Sequence, residues 1–267
     1  MPSHLTLLGT GTCQLQTRRK ASSVLLELDG LRIVFDMGRG IADRLAELGL
    51  RQDDVEHVVL SHFHPDHVSD LVPYLQAAAW SRIDPRTRDL HIWGPRGLEV
   101  QLMRLLSLFD VDNLSRPSWR VHLHEVRDGA LEIADRRFGW PALPPAGNHG
   151  LQLVTPAGRF VITGDAHFGP SLIASLREAR LAIVDSGHLV DAELIEVAVA
   201  SGVERMICSH VYRTLDLERL EQAAQARGFA GRIELAADGL RFDLDAPERP
   251  AVDLLADGAT DRQETRA

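Results

Sequence analysis

The stretch Ser61-His62-Phe63-His64-Pro65-Asp66-His67 constrains this chain more than any other part of its sequence. It follows the apolar run Val58-Val59-Leu60, which predicts a short buried strand. Side chains alternate along an extended segment, so the first two histidines should point to the same side. The proline is typical of the first turn of a helix, which would carry the aspartate and the last histidine. Imidazole and carboxylate groups suit Zn²⁺ and similar ions, so the stretch predicts a metal site at a strand end.

A solvated histidine-rich loop is the alternative interpretation of this stretch. It would account for a single histidine, but not for four residues of ligand type in this order. A second His-x-His pair in the same chain, His122 and His124, is not followed by Asp-His. We therefore interpret that pair as one face of a strand.

Length and composition limit the classes of protein that this chain can represent. Its 267 residues are 45% hydrophobic, which is ample for one large α/β domain or two small ones. The formal net charge of −9 argues against a broad basic surface for nucleic acid. Cys13 and Cys208 do not suggest a disulfide framework. Neither a signal peptide nor a membrane span is recognisable, so we predict no membrane association and a cytoplasmic location.

Further residues of ligand type follow other predicted strands. His149 stands at the end of a loop rich in proline and glycine, and Asp165 follows a strand over 159–163. His188 lies just after a strand over 181–184, and His210 follows a strand over 205–208. Asp36 also ends a strand, where it either holds a ligand histidine or caps a loop. Residues 246–267 are polar and predict a disordered tail.

Taken together, these motifs resemble the metallo-β-lactamase superfamily. The runs Leu8-Gly9-Thr10-Gly11-Thr12, Phe35-Asp36-Met37-Gly38 and Ala237-Asp238-Gly239 look like its ribonuclease Z-like branch. The resemblance covers roughly residues 4–244 and implies one hydrolase domain over 1–245. It also implies an α/β fold of the αββα sandwich type, in which two mixed β-sheets pack face to face with helices on the outer faces.

The resemblance implies two divalent metal ions in one cleft, with zinc expected and manganese or iron as alternatives. The first ion would be held by His62, His64 and His149, and the second by Asp66, His67 and His210. Asp165 would bridge both ions, and a bridging hydroxide would be the nucleophile. Asp66 would thus serve both the metal and the catalysis.

Three residues are candidates for other roles in the reaction. His188 and His167 are candidate proton donors to a leaving alkoxide, although each could equally be structural. Arg213 lies three residues after the last predicted ligand and could contact a phosphate; the alternative is a surface arginine. The basic run Arg18-Arg19-Lys20 is either a solvated loop or a clamp for an anionic substrate.

Two departures from the ribonuclease Z pattern guide the predicted substrate. Only fifteen residues separate His149 from Asp165, where that family often inserts a long arm that grips tRNA. The family's His-Ser or His-Thr pair before the last ligand is also missing. These departures and the acidic charge make tRNA an unlikely partner and favour a small anionic phosphodiester, such as a cyclic phosphate.

Other functions are compatible with the same residues. The leading alternative is hydrolysis of an ester, thioester or lactone, and a ribonuclease Z-type tRNA 3′ endonuclease is another. An iron-dependent oxidoreductase is disfavoured because such relatives tend to carry glutamate in place of His64 and need a flavin domain. A scaffold without activity is disfavoured because all seven predicted ligands are present. The branch also suggests a homodimer.

Overall fold

The computed structural model describes residues 2–109, 118–127 and 129–255. Its first half contains six strands, four α-helices and a short 3₁₀ turn at Gln52–Asp54. In chain order the strands and helices are β1 His4–Gly9, β2 Ser23–Leu28, β3 Leu31–Phe35, α1 Ile41–Glu47, β4 His57–Val59, α2 Pro65–Val68, α3 Leu71–Trp80, β5 Leu90–Gly94, α4 Leu98–Ser107 and β6 Val121–Glu125.

The second half repeats a mixture of hairpins and strand–helix units. Its elements are β7 Ala130–Ile133, β8 Arg136–Gly139, β9 Ala142–Leu143, β10 Asn148–His149, β11 Leu151–Thr155, β12 Gly158–Ile162, α5 Pro170–Leu176, β13 Ala179–Asp185, α6 Asp191–Ser201, β14 Arg205–Ser209, α7 Leu217–Gln225, β15 Arg232–Leu235, β16 Leu240–Asp243 and β17 Val252–Asp253.

Two mixed sheets form the centre of the molecule. One has the strand order β17-β16-β1-β2-β3-β4-β5-β6, and the other has the order β15-β14-β13-β12-β11-β8-β7. An apolar core lies between the sheets and joins residues such as Leu26 and Val59 of the first to Phe160 and Ile183 of the second. Two further cores pack α1, α3 and α4 against the first sheet and α5, α6 and α7 against the second. The predicted αββα sandwich is therefore confirmed.

The turn between β2 and β3 illustrates how local sequence determines an element. Asp29 and Gly30 have φ values of 53° and 92°, the left-handed pair that a tight hairpin turn requires. The register that follows pairs Leu28 with Leu31 and Val24 with Phe35. This hairpin matches the Asp-Gly signal in the sequence.

Parallel pairing determines where the predicted site residues lie. Strand β4 runs parallel to β3 and β5, and β13 runs parallel to β12 and β14. Their carboxyl ends therefore lie at the same end of each sheet. The segments that follow these strands carry most of the predicted ligands. Within the described residues, no helix has the length and apolar character needed to cross a bilayer.

Two parts of the structure differ from expectation. The loop expected over 138–147 contains the end of β8 and all of β9, because both find antiparallel partners. The predicted disordered tail over 246–267 lies partly in the described chain, where β17 pairs with β16 and Arg205 donates to the carbonyl of Pro247. The sheet thus continues beyond residue 245, while residues 256–267 lie outside the described residues.

Candidate metal centre

The histidine-rich stretch follows the predicted course at the carboxyl end of β4. Pro65 occupies the first position of α2, and this short helix carries Asp66 and His67. The backbone N–H of Met37 donates to the carbonyl of His67 at 2.8 Å. Gly38 permits this close approach, since a Cβ at that position would lie 1.6 Å from the carbonyl oxygen of Asp66. The end of β3 therefore supports the ligand-bearing turn.

The fold brings ligand atoms from distant segments within 4.8 Å of one another. The first group consists of His62, His64 and Asp165, and the second of Asp66, His67 and His210. A further group, Asp165, Asp185, His188 and His210, shares one member with each of these two. Six of the seven predicted metal ligands thus lie in these two groups. The first sheet supplies four of them and the second sheet supplies Asp165 and His210.

Asp165 lies between the two groups and faces both. Its Oδ2 atom is 3.6 Å from Nε2 of His62, on the side of the first group. Its Oδ1 atom is 3.0 Å from Nε2 of His67 and 3.3 Å from Nε2 of His210, on the side of the second. One carboxylate with an oxygen directed at each group has the placement of a bridging ligand.

Asp36 and Ser61 fix the orientation of two of the histidines. The Oδ2 atom of Asp36 accepts from Nδ1 of His67 at 2.7 Å and from the Ser61 hydroxyl at 2.8 Å. The same hydroxyl lies 2.9 Å from Nδ1 of His62 and accepts its proton. In the neutral form of each ring the lone pair is therefore on Nε2 and directed at the site, as is common for metal-binding histidines. Of the two interpretations of Asp36, the structure favours the one in which it holds a ligand histidine.

The buried polar atoms at the centre fit a bound cation. The Nε2 atoms of His62, His67 and His210 and the Oδ1 atom of Asp165 are buried without a hydrogen-bond partner. Such atoms are costly to leave unsatisfied inside a protein. All four converge on the same space and belong to ligand types that bind divalent metals, so the donor set fits metal ions.

The charges in the metal-free chain also fit that role. Burial lowers the pKa of His62 to about 4, so its ring is neutral at physiological pH. Burial opposes protonation of His67 and His210 as well, but Asp36 and Asp165 hold the pKa of His67 well above its usual value. The neighbouring carboxylates of Asp185 and Asp66 overcome this effect at His210 and raise its pKa to about 9. Metal binding to these two rings therefore competes with protons.

His149 is the predicted ligand that lies outside both groups. Its backbone N–H donates to the carbonyl of Ser61 at 3.2 Å, so it lies beside the ligand stretch. Its ring stacks on Trp140 with centroids 5.0 Å apart, and its buried Nδ1 atom has no hydrogen-bond partner. Its assignment to a metal ion stays a prediction.

His188 lies beside the second group and is held by an aspartate that the sequence did not single out. Asp185 accepts from Nδ1 of His188 at 2.7 Å and lies 3.4 Å from Nδ1 of His210. This hydrogen bond raises the pKa of His188 despite partial burial. The sequence contained a signal for this residue, because Asp185 is an acidic residue at the end of a strand, and Asp165 likewise follows β12.

Three imidazole rings form a row at this side of the cleft. His188 lies between His167 and His210, with ring centroids 5.1 Å and 5.2 Å away. Tyr212, which the sequence also did not indicate, packs edge-on against His210 at 5.2 Å. Its hydroxyl is 3.2 Å from the Cys13 sulfur. Both predicted proton donors therefore lie near the candidate ligands.

Arg213 has other partners in this structure. Its Nη2 atom lies 2.7 Å from Oδ1 of Asp191 and donates to the carbonyl of Leu189 at 3.2 Å. Asp191 is the first residue of α6 and Leu189 lies just before it, and the arginine side chain is 39% exposed. A phosphate contact would require these bonds to be exchanged, so its predicted role stays a prediction.

A cleft of about 300 Å³ opens over the first group. The candidate ligands His62, His64 and Asp165 line it together with His167 and His188. The remaining wall is formed by Phe63 and the segment 145–148. The cleft thus combines imidazole nitrogens with a small apolar wall.

The comparisons with known proteins agree with the fold. A sequence model of the metallo-β-lactamase superfamily matches residues 17–210. The chain therefore belongs to the metallo-β-lactamase superfamily, as the resemblance implied, and it is an enzyme of the metal-dependent hydrolase class.

Several individual proteins are similar to this chain over most of its length. A ribonuclease Z of Mycobacterium avium is 27% identical over 277 residues, which cover 91% of this chain and 99% of the relative. The metallo-β-lactamase fold protein YhfI from Bacillus subtilis has a TM-score of 0.75 at 18% identity, over 91% of this chain and all of its own. A diphosphatase of the PhnP family has a TM-score of 0.66 at 18% identity, over 90% of this chain and 97% of its own.

Proposed function

We propose that the chain is a dinuclear metal-dependent phosphodiesterase that hydrolyses a small anionic phosphodiester. The observation that carries this proposal is the position of Asp165 between two groups of converging ligand atoms. Its two oxygens face His62 on one side and His67 and His210 on the other. A shared anion of this kind is what two neighbouring cations need.

In this proposal His62, His64 and His149 hold one ion, Asp66, His67 and His210 hold the other, and Asp165 contacts both. Zinc is the ion we expect, since the donors are imidazole nitrogens and carboxylate oxygens. Bound divalent ions would supply Lewis acidity toward the phosphoryl oxygens and a water of lowered pKa. Asp36 and Ser61 keep the ligand rings oriented by the hydrogen bonds described above.

The size and lining of the cleft support a small substrate. A volume of about 300 Å³ is at the lower end of the range that encloses a small ligand. The segment between His149 and Asp165 is filled by the β11–β12 hairpin, which leaves little chain for a long arm. The structural neighbour described as a PhnP-family diphosphatase also acts, by its title, on a phosphorus compound.

His188 is the residue to which we assign proton donation. Asp185 holds its Nδ1 proton, so the Nε2 atom of the same ring can deliver a proton to a leaving oxygen at the cleft. We expect His188→Gln to lower kcat by about 10²- to 10⁴-fold for an alkyl or ribose leaving group. For a p-nitrophenyl ester, whose leaving group needs no proton, the loss should be much smaller.

Steady-state kinetics on the two kinds of ester provide the measurement, and His122→Gln, remote from the cleft, is the matched control. An equal loss on both esters would remove the proton-donor assignment and leave His188 in a positioning role.

The proposed function is tested with a panel of substrates on the metal-loaded protein. We expect turnover of bis(p-nitrophenyl) phosphate and of 2′,3′-cyclic nucleotides, with no comparable turnover of lactones or thioesters. Asp165→Asn should abolish that turnover while the far-ultraviolet circular dichroism stays unchanged. If lactones or thioesters are the better substrates, the alternative carboxylic-ester reaction replaces the proposal.

A ribonuclease Z activity is the second candidate, and one specific observation favours it. The Mycobacterium avium relative named ribonuclease Z aligns over 99% of its own length. A tRNA precursor with a 3′ extension belongs in the panel for this reason. Cleavage at the 3′ side with an efficiency above that for cyclic nucleotides would favour this candidate over the small-substrate proposal.

A further inference from the structure

A second group of histidines lies away from the metal centre, on the starts of three neighbouring strands. His57 of β4 pairs in register with His91 of β5, and His91 pairs with His122 of β6. His124 lies two residues further along β6 and so shares the face of His122. We call these four residues the histidine patch. Nothing in the proposed function makes use of them.

The histidine patch occupies the face of the sheet that is turned toward the other sheet. Val59 and Trp93, which follow His57 and His91 by two residues, contact the core between the sheets. His57 is five residues before His62, a separation of about 16 Å along extended chain. The patch is therefore distinct from the candidate metal centre at the opposite end of β4.

The ring spacings in the patch match those of the metal centre. The centroid of His91 is 4.8 Å from that of His122, 5.2 Å from that of His124 and 5.0 Å from that of His57. Among the candidate ligands of the metal centre, neighbouring rings are 4.2 to 5.6 Å apart. A His-x-His pair on one strand and a third histidine on the adjacent strand place three rings on one sheet face. These rings are stacked nearly parallel, at 17° and 18° to one another, so a shared ion requires side-chain rotation.

Two ring nitrogens of the histidine patch lie close enough together to bind one ion. Nδ1 of His91 and Nε2 of His124 are 2.9 Å apart. Two nitrogens bound side by side to one zinc ion at 2.0–2.1 Å would be about 2.9–3.4 Å apart. Nε2 of His122 lies 2.7 Å from Oδ2 of Asp89, which fixes its proton on that side and leaves Nδ1 for an ion. A carboxylate behind a ligand histidine is the usual support of such a site.

His57 has a different role in the patch. It is buried, and its Nδ1 atom accepts from the indole N–H of Trp93 at 3.3 Å. The side chain of His122, by contrast, is 39% exposed on a strand at the edge of the sheet. An ion can therefore reach His91, His122 and His124 from solvent without disturbing the packing of His57.

We propose that His91, His122 and His124 bind a transition-metal ion of the zinc, copper(II) or nickel(II) class, with Asp89 supporting His122. Three imidazoles with an open fourth position form an established donor set for such ions. On binding, the ring that donates this hydrogen bond takes its proton on the other ring nitrogen, so His91 and His124 both bind as neutral imidazoles and no net proton is released. Rotation of the exposed His122 side chain on the edge strand brings its Nδ1 atom, the third nitrogen, to the ion.

The test uses the full-length protein, stripped with a chelator and reloaded with zinc at micromolar concentration. Zinc per chain is measured by mass spectrometry after gel filtration. We expect the double variant His122→Gln/His124→Gln to hold one zinc ion fewer than the wild type, with phosphodiester turnover unchanged. His4→Gln, a histidine on β1 outside both groups, is the matched control and should keep the wild-type number.

A spectroscopic readout separates the new site from the catalytic one. Copper(II) added to the zinc-loaded protein should give an electron paramagnetic resonance spectrum with nitrogen splitting from three imidazoles, reduced to two in His122→Gln. Asp89→Asn should weaken copper binding about tenfold. Equal zinc content in wild type and double variant, or copper binding only at millimolar concentration, would overturn the proposal. If the double variant unfolds, the single variant His122→Gln and its spectrum decide the question.

Discussion

At the scale of single residues, two of the six described non-glycine residues with positive φ lie at the candidate site. Asp36 and His210 have φ values of 62° and 54°, a region that residues other than glycine rarely adopt. Asp36 uses this conformation to accept three hydrogen bonds, from His67, from the Ser61 hydroxyl and from the Ser61 backbone. The strain is offset by these bonds, which keep ligand rings directed at the site.

Asp36→Asn tests this dependence while keeping the backbone conformation, since asparagine tolerates a positive φ. We expect metal affinity to fall by about 10- to 100-fold, because asparagine has one acceptor oxygen for the three donors that Asp36 satisfies and removes the negative charge beside His67. Isothermal titration of the stripped protein with zinc measures the effect. Asp43→Asn, an exposed acid on α1, is the control. Unchanged affinity in Asp36→Asn would show that His67 needs no such support.

His57 provides a prediction about stability and pH. Burial lowers its pKa to about 4, whereas an unfolded histidine titrates near 6.5. The folded state thus binds fewer protons than the unfolded state between these values, so stability falls as the pH drops from about 6.5 to about 4. His57→Gln keeps an acceptor for Trp93 without the titration. As the pH is lowered from about 6.5 to about 4 in the presence of chelator, the melting temperature of this variant should fall less steeply than that of the wild type. Parallel curves for the two proteins would show that His57 does not cause the pH dependence.

At the scale of elements, one buried carboxylate ties the loop after β1 to the far end of the chain. Asp238 accepts from the Thr10 hydroxyl at 2.7 Å, from the backbone of Lys20 at 2.8 Å and from Arg44 at 3.1 Å. Arg19, expected in a solvated loop or a substrate clamp, donates instead to the hydroxyl of Thr10 and to the carbonyl of Ala236. The loop that borders the site is therefore anchored by internal bonds.

Asp238→Ala should lower the free energy of unfolding by about 3 kcal/mol, because it leaves the buried Arg44 without one of its two carboxylate partners. Asp238→Asn should cost less, since burial already raises the pKa of this carboxyl and the amide oxygen still accepts. Urea unfolding of the two variants gives both values. A smaller loss for alanine than for asparagine would contradict this account.

At the scale of the whole molecule, the candidate ligands join the two sheets. The ligand stretch after β4 belongs to the first sheet, and Asp165 and His210 follow β12 and β14 of the second. A bound ion would therefore cross-link the sandwich at one edge, in addition to the apolar core between the sheets. Stability and metal content should be linked for this reason.

Chelation should accordingly lower the melting temperature of the loaded protein. With free metal at 100 times the dissociation constant, the loss is about 2.7 kcal/mol for each site that binds only the folded chain. Scanning calorimetry with and without chelator measures it, and Asp165→Asn should show a much smaller difference. A melting temperature that stays constant after complete removal of metal would exclude a cross-linking role.

The sequence by itself determined the class of the fold and six members of the two ligand groups. Their signal is local: a ligand-type residue directly after an apolar strand, with His-x-His-x-Asp-His as its densest case. The Asp29-Gly30 hairpin is local in the same sense, because left-handed φ angles depend on the residue that adopts them.

Only the tertiary structure decided which residues support those candidate ligands and which side chains lie outside the candidate metal centre. Asp36 acts on His67 through a contact that no spacing in the chain encodes, and Arg213 meets Asp191 rather than the cleft. The His122/His124 pair forms one face of β6, as its spacing predicted, but only pairing with β5 places His91 beside it. Strand register brings residues more than thirty positions apart within hydrogen-bonding distance, and register is set by the packing of the whole sheet.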